Sequence, residues 1–261
     1  MLLGIDGGNT NAVFGLFAGD ASETTAIWRL TSRRDRTADE WYALLAPLFV
    51  AGGLRPDSVD AVVLSSVVPA IGDALIRTAR ERFGVEPLVV GPALDLGITV
   101  RTDVPNETGT DRITNCAAAF ARFGGPTIIV DLGTATKIEA ITGSGDYLGG
   151  VIAPGLGLTL DALATRAARL YAVELRRPAA AIGSNTIAAV QAGVVEGHQA
   201  MIEGLVARVR GQLGGAEHVV LTGGYSHVFA ETPSVFTDVV PTLTLEGLHL
   251  IYRRNAGQGA R

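Results

Sequence analysis

The chain has 261 residues, of which 48% are hydrophobic and 18% charged, with a formal net charge of −5. This composition excludes a chain disordered as a whole, and the length suits one large domain or two small ones, each able to bury a core. The acidic balance and the lack of a basic stripe argue against a nucleic-acid partner.

The single cysteine, Cys116, excludes an internal disulfide. It lies in "RITNCAAAF", an apolar helical pattern, and reads as a small buried hydrophobe; no histidine lies nearby in sequence to make it a nucleophile. The opening "MLLGID" is too short, and lacks the cationic start, for a signal peptide. No apolar run reaches the roughly 20 residues of a membrane span. A cytoplasmic protein without a membrane partner is expected.

Strands and helices alternate with Gly-rich turns. "MLLGI" predicts a short buried strand, joined by a tight turn to a second, "AVFGLFAG". "TADEWYALLAPLFVAGGL" has helical spacing, with Thr37 as cap and Gly52–Gly53 as stop. A strand "DAVVLSSVV", a helix "PAIGDALIRTARERFG" ending at Gly84 and a strand "EPLVVG" follow. "GTDRITNCAAAFARFGG" predicts a helix. The plan then restarts with strands "PTIIVDLG" and "TKIEAIT", helices over about 159–171 and 185–213, and a strand "EHVVLTGG". "TLEGLHLIYRRN" predicts a closing amphipathic helix, and the tail "AGQGAR" reads as loose.

The restart is an internal duplication. "LLGIDGGNTNAVFGL" and "IIVDLGTATKIEAI" align Asp6 with Asp131 and Gly8 with Gly133. Each half later has a strand ending in small residues, "VVLSS" and "VVLTGG". The expected fold is α/β with mixed sheets in two related halves. The boundary falls near Gly124–Pro126, giving domains 1–124 and 125–261.

Asp6 ends an apolar strand, where a carboxylate is costly unless it meets a cation or donors. Gly7 and Gly8 let a phosphate approach backbone N–H groups, and Asn9, Thr10 and Asn11 add side-chain donors. The carboxylate could hold Mg²⁺, often through water. The same residues are also ordinary in a hairpin turn. The second turn repeats the arrangement with Asp131, Gly133, Thr134 and Thr136, and two facing Asp-Gly turns could clamp a triphosphate. "LTGGYS", with Gly223 and Gly224, is a third Gly-rich bend, fit to pass close to an adenosine. A Walker-type P-loop and a dinucleotide fingerprint are both absent. Asp111 in "ETGTDRITN" reads either as a helix cap or as a general base for a substrate hydroxyl, with Arg112 binding an anion.

With these residues in place, the sequence closely resembles the type III pantothenate kinases. The stretches that carry the resemblance are "DGGNTNAVFG", "LSSVVP", "GTDRITN", "DLGTAT", "YLGGVIAPGLGLTLDAL", "IGSNTIAAVQAGVVEG" and "LTGGYS", in family order from end to end. The resemblance implies the duplicated ribonuclease-H-like fold of the actin, Hsp70 and sugar kinase superfamily. It implies ATP-dependent phosphorylation of pantothenate to 4'-phosphopantothenate, the first step of coenzyme A biosynthesis. It places Asp6, Gly7, Gly8, Asn9, Thr10, Asn11, Ala12 and Val13 on the ATP phosphates and makes Thr134 an ATP contact. It makes Asp111 the catalytic base, with Gly109, Thr110, Asp111 and Arg112 on pantothenate. Asp131 would hold a monovalent cation, K⁺ or NH₄⁺. A homodimer is implied, with Thr186 reaching pantothenate from the neighbouring subunit and the long helix from about Asn185 at the interface.

The sequence departs from the family pattern in places. Gly7 and Thr110 are mild changes. Arg101 stands where the family typically has a tyrosine lining the pantothenate site; it could pair with the substrate carboxylate or point to water. Lys137, the only lysine, stands where threonine is usual. It reads as a surface strand residue paired with Glu139, or as an ammonium near Asp131 that partly replaces the ion. Two other functions remain open at this level: a non-catalytic, nucleotide-binding regulatory relative, and a kinase for another hydroxy acid.

Overall fold

The computed structural model describes residues 1–19, 21–166, 173–230 and 235–256. The chain divides into two units, Met1–Ala121 with Leu243–Arg261, and Arg122–Thr242.

The first unit is built on strands β1 (Leu2–Gly7), β2 (Asn11–Phe17), β3 (Thr24–Thr31), β4 (Ala61–Ser66) and β5 (Leu88–Val89), in the order β3-β2-β1-β4-β5. β1 is antiparallel to β2 and parallel to β4. These central strands are near-continuous apolar runs because both of their faces are covered. On one side Leu3, Ile5, Phe14 and Leu64 pack with Trp41, Leu45 and Phe49 of helix α1 (Ala38–Ala51) and with Ile71 and Leu75 of helix α2 (Pro69–Thr78). α1 starts where expected, on a reciprocal capping box between Thr37 and Glu40, and ends at Gly52. α2 runs on into a π-helical turn, Ala79–Phe83, that Gly84 ends with φ +68°. β6 (Thr99–Val100) and helix α3 (Thr110–Phe123) follow, with Cys116 buried as its pattern predicts.

The second unit contains β7 (Thr127–Leu132), β8 (Ala135–Ile141), β9 (Asp146–Pro154), β10 (His218–Thr222) and β11 (Asp238–Val239), in the order β11-β10-β7-β8-β9. Helices α4 (Leu156–Arg166), α5 (Thr186–Gln191) and α6 (Gly197–Leu213) lie between β9 and β10, with a π-helical turn, Ala192–Glu196, joining α5 to α6. Val190, Val194, Ile202 and Val206 from this helical run pack on Ile128, Val130 and Ile138 of the sheet.

The duplication is explicit in the pairing. β7 is antiparallel to β8, β8 antiparallel to β9, and β10 lies parallel to both β7 and β11. β1 through β5 have the same neighbours with the same senses.

Four strands were not expected: β3, the two-residue β6, β9 and β11. β3 alternates half-buried and exposed residues along its length, and β9 carries Gly149 and Gly150, which weaken a strand signal. The closing helix α7 (Leu243–Asn255), expected in the second half, belongs to the first unit. Its stripe Leu245, Leu248 and Ile251 packs with Leu2, Phe17, Val63 and Ile113, on the face of the first sheet opposite α1 and α2. The helix expected over 159–171 is seen to Arg166, and 167–171 lies outside the described residues. Of the tail, only Ala256 is described. Among the described residues no helix is long and apolar enough to cross a membrane.

Candidate active site

In the first unit the candidate residues collect at the carboxyl ends of the parallel strands β1 and β4, the edge where open α/β sheets bind ligands. Strand register sets Asp6 beside Ser65 and Gly7 beside Ser66. Across the hairpin Asp6 faces Val13 and Gly7 faces Ala12, leaving residues 8–11 as the turn. The turn is held from behind: Ser32 Oγ donates to the Gly8 carbonyl at 2.7 Å, and the Ser32 amide to the Thr10 carbonyl at 2.9 Å. Asn9 and Thr10 are left exposed at its tip. Both glycines are needed for close approach. A Cβ on Gly7 would stand 2.8 Å from Ser66 Oγ, and one on Gly8 would stand 2.9 Å from the Asn11 carbonyl oxygen.

The same edge receives the start of α3. Ser65 Oγ donates to Thr110 Oγ1 at 2.9 Å, and Thr114 Oγ1 donates to the Thr110 carbonyl at 2.7 Å. Asp111 is therefore fixed in the first turn of α3, half-buried, beside the end of β4. Its Oδ1 accepts the Arg112 amide at 2.8 Å. A Cβ on Gly109 would stand 2.7 Å from that same oxygen. Arg112 is half-buried, whereas Arg101, on the loop after β6, is exposed.

In the second unit Asp131 stands near the end of β7, beside Thr222 of β10. The Gly133 amide donates to the Ala135 carbonyl at 3.1 Å, and the turn is residues 133–135, one shorter than its counterpart. Two backbone segments press on this turn. Gly223, with φ +95°, passes so close that a Cβ there would be 2.5 Å from Asp131 Oδ1, and the Tyr225 amide donates to the Leu132 carbonyl at 3.0 Å. Gly155, just before α4, would place a Cβ 2.3 Å from the Thr134 carbonyl oxygen. Thr134 itself is half-buried. Thr136, grouped with the turn in the sequence, points to the other face of β8, where its hydroxyl meets His198 Nε2 at 2.7 Å inside the unit.

Lys137 is not a surface residue. It lies directly across from Asp131 in the β7–β8 pair, and its Nζ is 2.7 Å from Asp131 Oδ2, with side chains 14% and 12% exposed. Glu139, the partner suggested by strand alternation, is buried and accepts the Tyr147 hydroxyl at 2.7 Å.

Thr186 opens α5 and is exposed, its helix capped by Asn185 Oδ1, which accepts the Ala188 amide at 2.9 Å. Beside it in sequence Ile182 and Ile187 are exposed, as are Leu158 and Leu163 on α4. Among the described residues no three or more His, Cys, Asp or Glu side chains form a cluster able to hold a metal on their own.

The sequence reading overlooked Ser65, Ser66 and Gly155. Signals existed in the small residues that end β4 and in the "APG" before α4, but what they approach is distant in sequence.

A family model for the type III pantothenate kinases matches residues 2–208. A type III pantothenate kinase from Moorella thermoacetica is 45% identical over 255 residues, covering 98% of this chain and 100% of that protein. One from Roseiflexus sp. strain RS-1 is 46% identical over 255 residues, covering 98% and 99%. Among solved structures, the activator of the 2-hydroxyisocaproyl-CoA dehydratase from Clostridium difficile, with bound ADPNP, aligns with TM-score 0.54 at 14% identity, over 98% of this chain and 94% of that one. The inorganic polyphosphate/ATP-glucomannokinase from Arthrobacter sp. strain KM aligns with TM-score 0.50 at 14% identity, over 95% and 96%. These structural likenesses identify the fold as the actin, Hsp70 and sugar kinase type.

Proposed function

Because the chain belongs to the type III pantothenate kinases, we propose a division of labour among its residues for the reaction of that family. The reaction is ATP-dependent phosphorylation of pantothenate, on the way to coenzyme A. A primary alcohol attacks the γ-phosphate in line, so catalysis is mostly positioning and neutralisation of charge.

Asp111 is the general base that accepts the hydroxyl proton of pantothenate, and Gly109, Thr110 and Arg112 line the substrate around it. One observation supports this reading above others: the Ser65–Thr110 hydrogen bond and the Asp6–Ser65 register bring the base and the first Asp-Gly turn to one sheet edge. Residues 6–13 serve the ATP phosphates, with Asn9 and Thr10 exposed at the tip of the turn and Ala12 and Val13, paired to both neighbouring strands, holding it in place. Within the second unit, the Asp131 turn with Thr134, and Gly223 and Gly224, are the candidates for nucleotide contacts. Asp6 suits Mg²⁺, since that ion is commonly held by one or two carboxylates and completes its shell with water and phosphate oxygens. When bound, it would neutralise charge on the phosphates.

Arg101 is a candidate for the pantothenate carboxylate, and its exposure is compatible with reaching a bound substrate. The exposed apolar residues Ile182, Ile187, Leu158 and Leu163 favour burial against a second copy. In that homodimer Thr186 completes the neighbour's substrate site. The protein is assigned to the cytoplasm, with pantothenate and ATP as its small-molecule partners.

The deciding experiment for the base is Asp111→Asn. We expect kcat to fall about 10²- to 10⁴-fold while ATP affinity and the melting temperature stay near those of the parent. Full activity in the variant would remove Asp111 from the role.

A further inference from the structure

The residue that would hold a monovalent cation does not fit one here. The Asp131 carboxylate is already engaged at one oxygen and crowded at the other. Oδ2 is in contact with the Lys137 ammonium at 2.7 Å, and Gly223 passes Oδ1 so closely that a Cβ on it would stand 2.5 Å away. A free alkali ion on the same carboxylate would sit against a fixed positive charge.

We propose that Lys137 is a tethered cation, supplying at the Asp131 turn the positive charge that a dissolved K⁺ or NH₄⁺ would otherwise bring. The inference rests on the reading that this turn serves the ATP phosphates. Three observations lead to it. First, Asp131 and Lys137 are directly opposed across two antiparallel strands, so the pairing is set by backbone register and not by a flexible reach. Second, both side chains are almost wholly buried, where an unpartnered carboxylate is costly and a paired one keeps its charge. Third, the first turn, built on the same plan, has Val13 in the corresponding place opposite Asp6. The two Asp-Gly turns are therefore electrostatically different: the first presents a carboxylate opposite an apolar residue, the second a carboxylate with its cation built in. A lysine suits this better than any of the chain's 20 arginines could, because its ammonium is a compact point charge of the kind an alkali ion presents.

The test compares the intact protein with Lys137→Ala, Lys137→Arg and Asp131→Asn in KCl and in choline chloride of equal ionic strength. ATP affinity is read by calorimetry, and the melting temperature without nucleotide is read separately. The parent should change by less than about twofold in affinity between the salts, with no K⁺-specific rise in melting temperature. Lys137→Ala should lose at least about tenfold in choline. It should recover most of that loss in K⁺, with a melting temperature that rises with K⁺ alone. A parent that needs K⁺ for ATP binding overturns the proposal, as does a Lys137→Ala protein with parental affinity in both salts. If Lys137→Ala does not fold, the parent and Lys137→Arg decide: independence of K⁺ in both supports the tethered charge, and dependence in either overturns it. Asp131→Asn separates the two levels. Unchanged ATP affinity in that variant would mean that the turn does not serve the nucleotide, whatever the response to K⁺.

Discussion

Ser65 and Thr110 are 45 residues apart in the chain, and their hydroxyls meet at 2.9 Å where the end of β4 touches the start of α3. Ser65 is fully buried and Thr110 half-buried, so this contact is made at the margin of the core. It fixes the first turn of α3, and with it Asp111, against the strand that neighbours Asp6.

Removing this hydroxyl tests the coupling of fold to site. Ser65→Ala should cost about 1–3 kcal/mol, because Thr110 loses a partner in a part-buried setting. The KM for pantothenate should rise more than the KM for ATP, since the start of α3 carries the proposed substrate contacts. Denaturant melts paired with steady-state kinetics would check both, and an equal rise in the two KM values would argue against the assignment.

Gly223 combines positive φ with backbone contact to the Asp131 turn. Gly223→Ala should be strained twice, by its φ and by the approach of the new methyl to Asp131 Oδ1. Strain of this kind costs about 1–3 kcal/mol. ATP affinity should fall with stability, as calorimetry and thermal melts would report. A variant as stable as the parent would mean that the bend relaxes freely.

His198 gives the second unit a pH dependence. It is buried against Thr136, and burial pushes its pKa below the ordinary value of 6.5. The unfolded chain therefore binds a proton near pH 6.5 that the folded chain takes up only at lower pH. Stability is full above that value, declines as pH falls below it, and stops declining once the folded histidine also titrates. The slope from this one group cannot exceed about 1.4 kcal/mol per pH unit. His198→Gln, which keeps a hydrogen-bonding partner for Thr136, should flatten the melting temperature between pH 6.5 and the folded pKa. An unchanged profile would assign the slope to other groups.

Ile187 tests the proposed dimer. Ile187→Asp places a charge on the exposed apolar surface at the start of α5 and should shift sedimentation toward the monomer. Pantothenate turnover should fall with it, because Thr186 would no longer reach a neighbour. A monomeric parent would dismiss the interface outright.

Much of the fold was legible because its signals are local. The paired runs of strand, Asp, x, Gly and strand announced the duplication, and Thr37 with Glu40 announced the first helix. The closing helix was legible as a helix, yet an amphipathic stripe does not say which sheet will cover it; Leu245, Leu248 and Ile251 chose the first. Gly155 and Gly223 were visible as glycines, but the backbone they pass lies about 20 and 90 residues away in the chain.

Lys137 shows the boundary most sharply. The sequence by itself determined that one ammonium lies near the second Asp-Gly turn, and offered it Asp131 and Glu139 as partners. Aligned without gaps, it falls opposite Ala12, a core residue of the first half. Only the tertiary structure decided otherwise: the second turn is one residue shorter, and a one-residue change in register moves a side chain to the other face of a strand. That shift takes Lys137 from the face of Ala12 to the place of Val13, across from the aspartate.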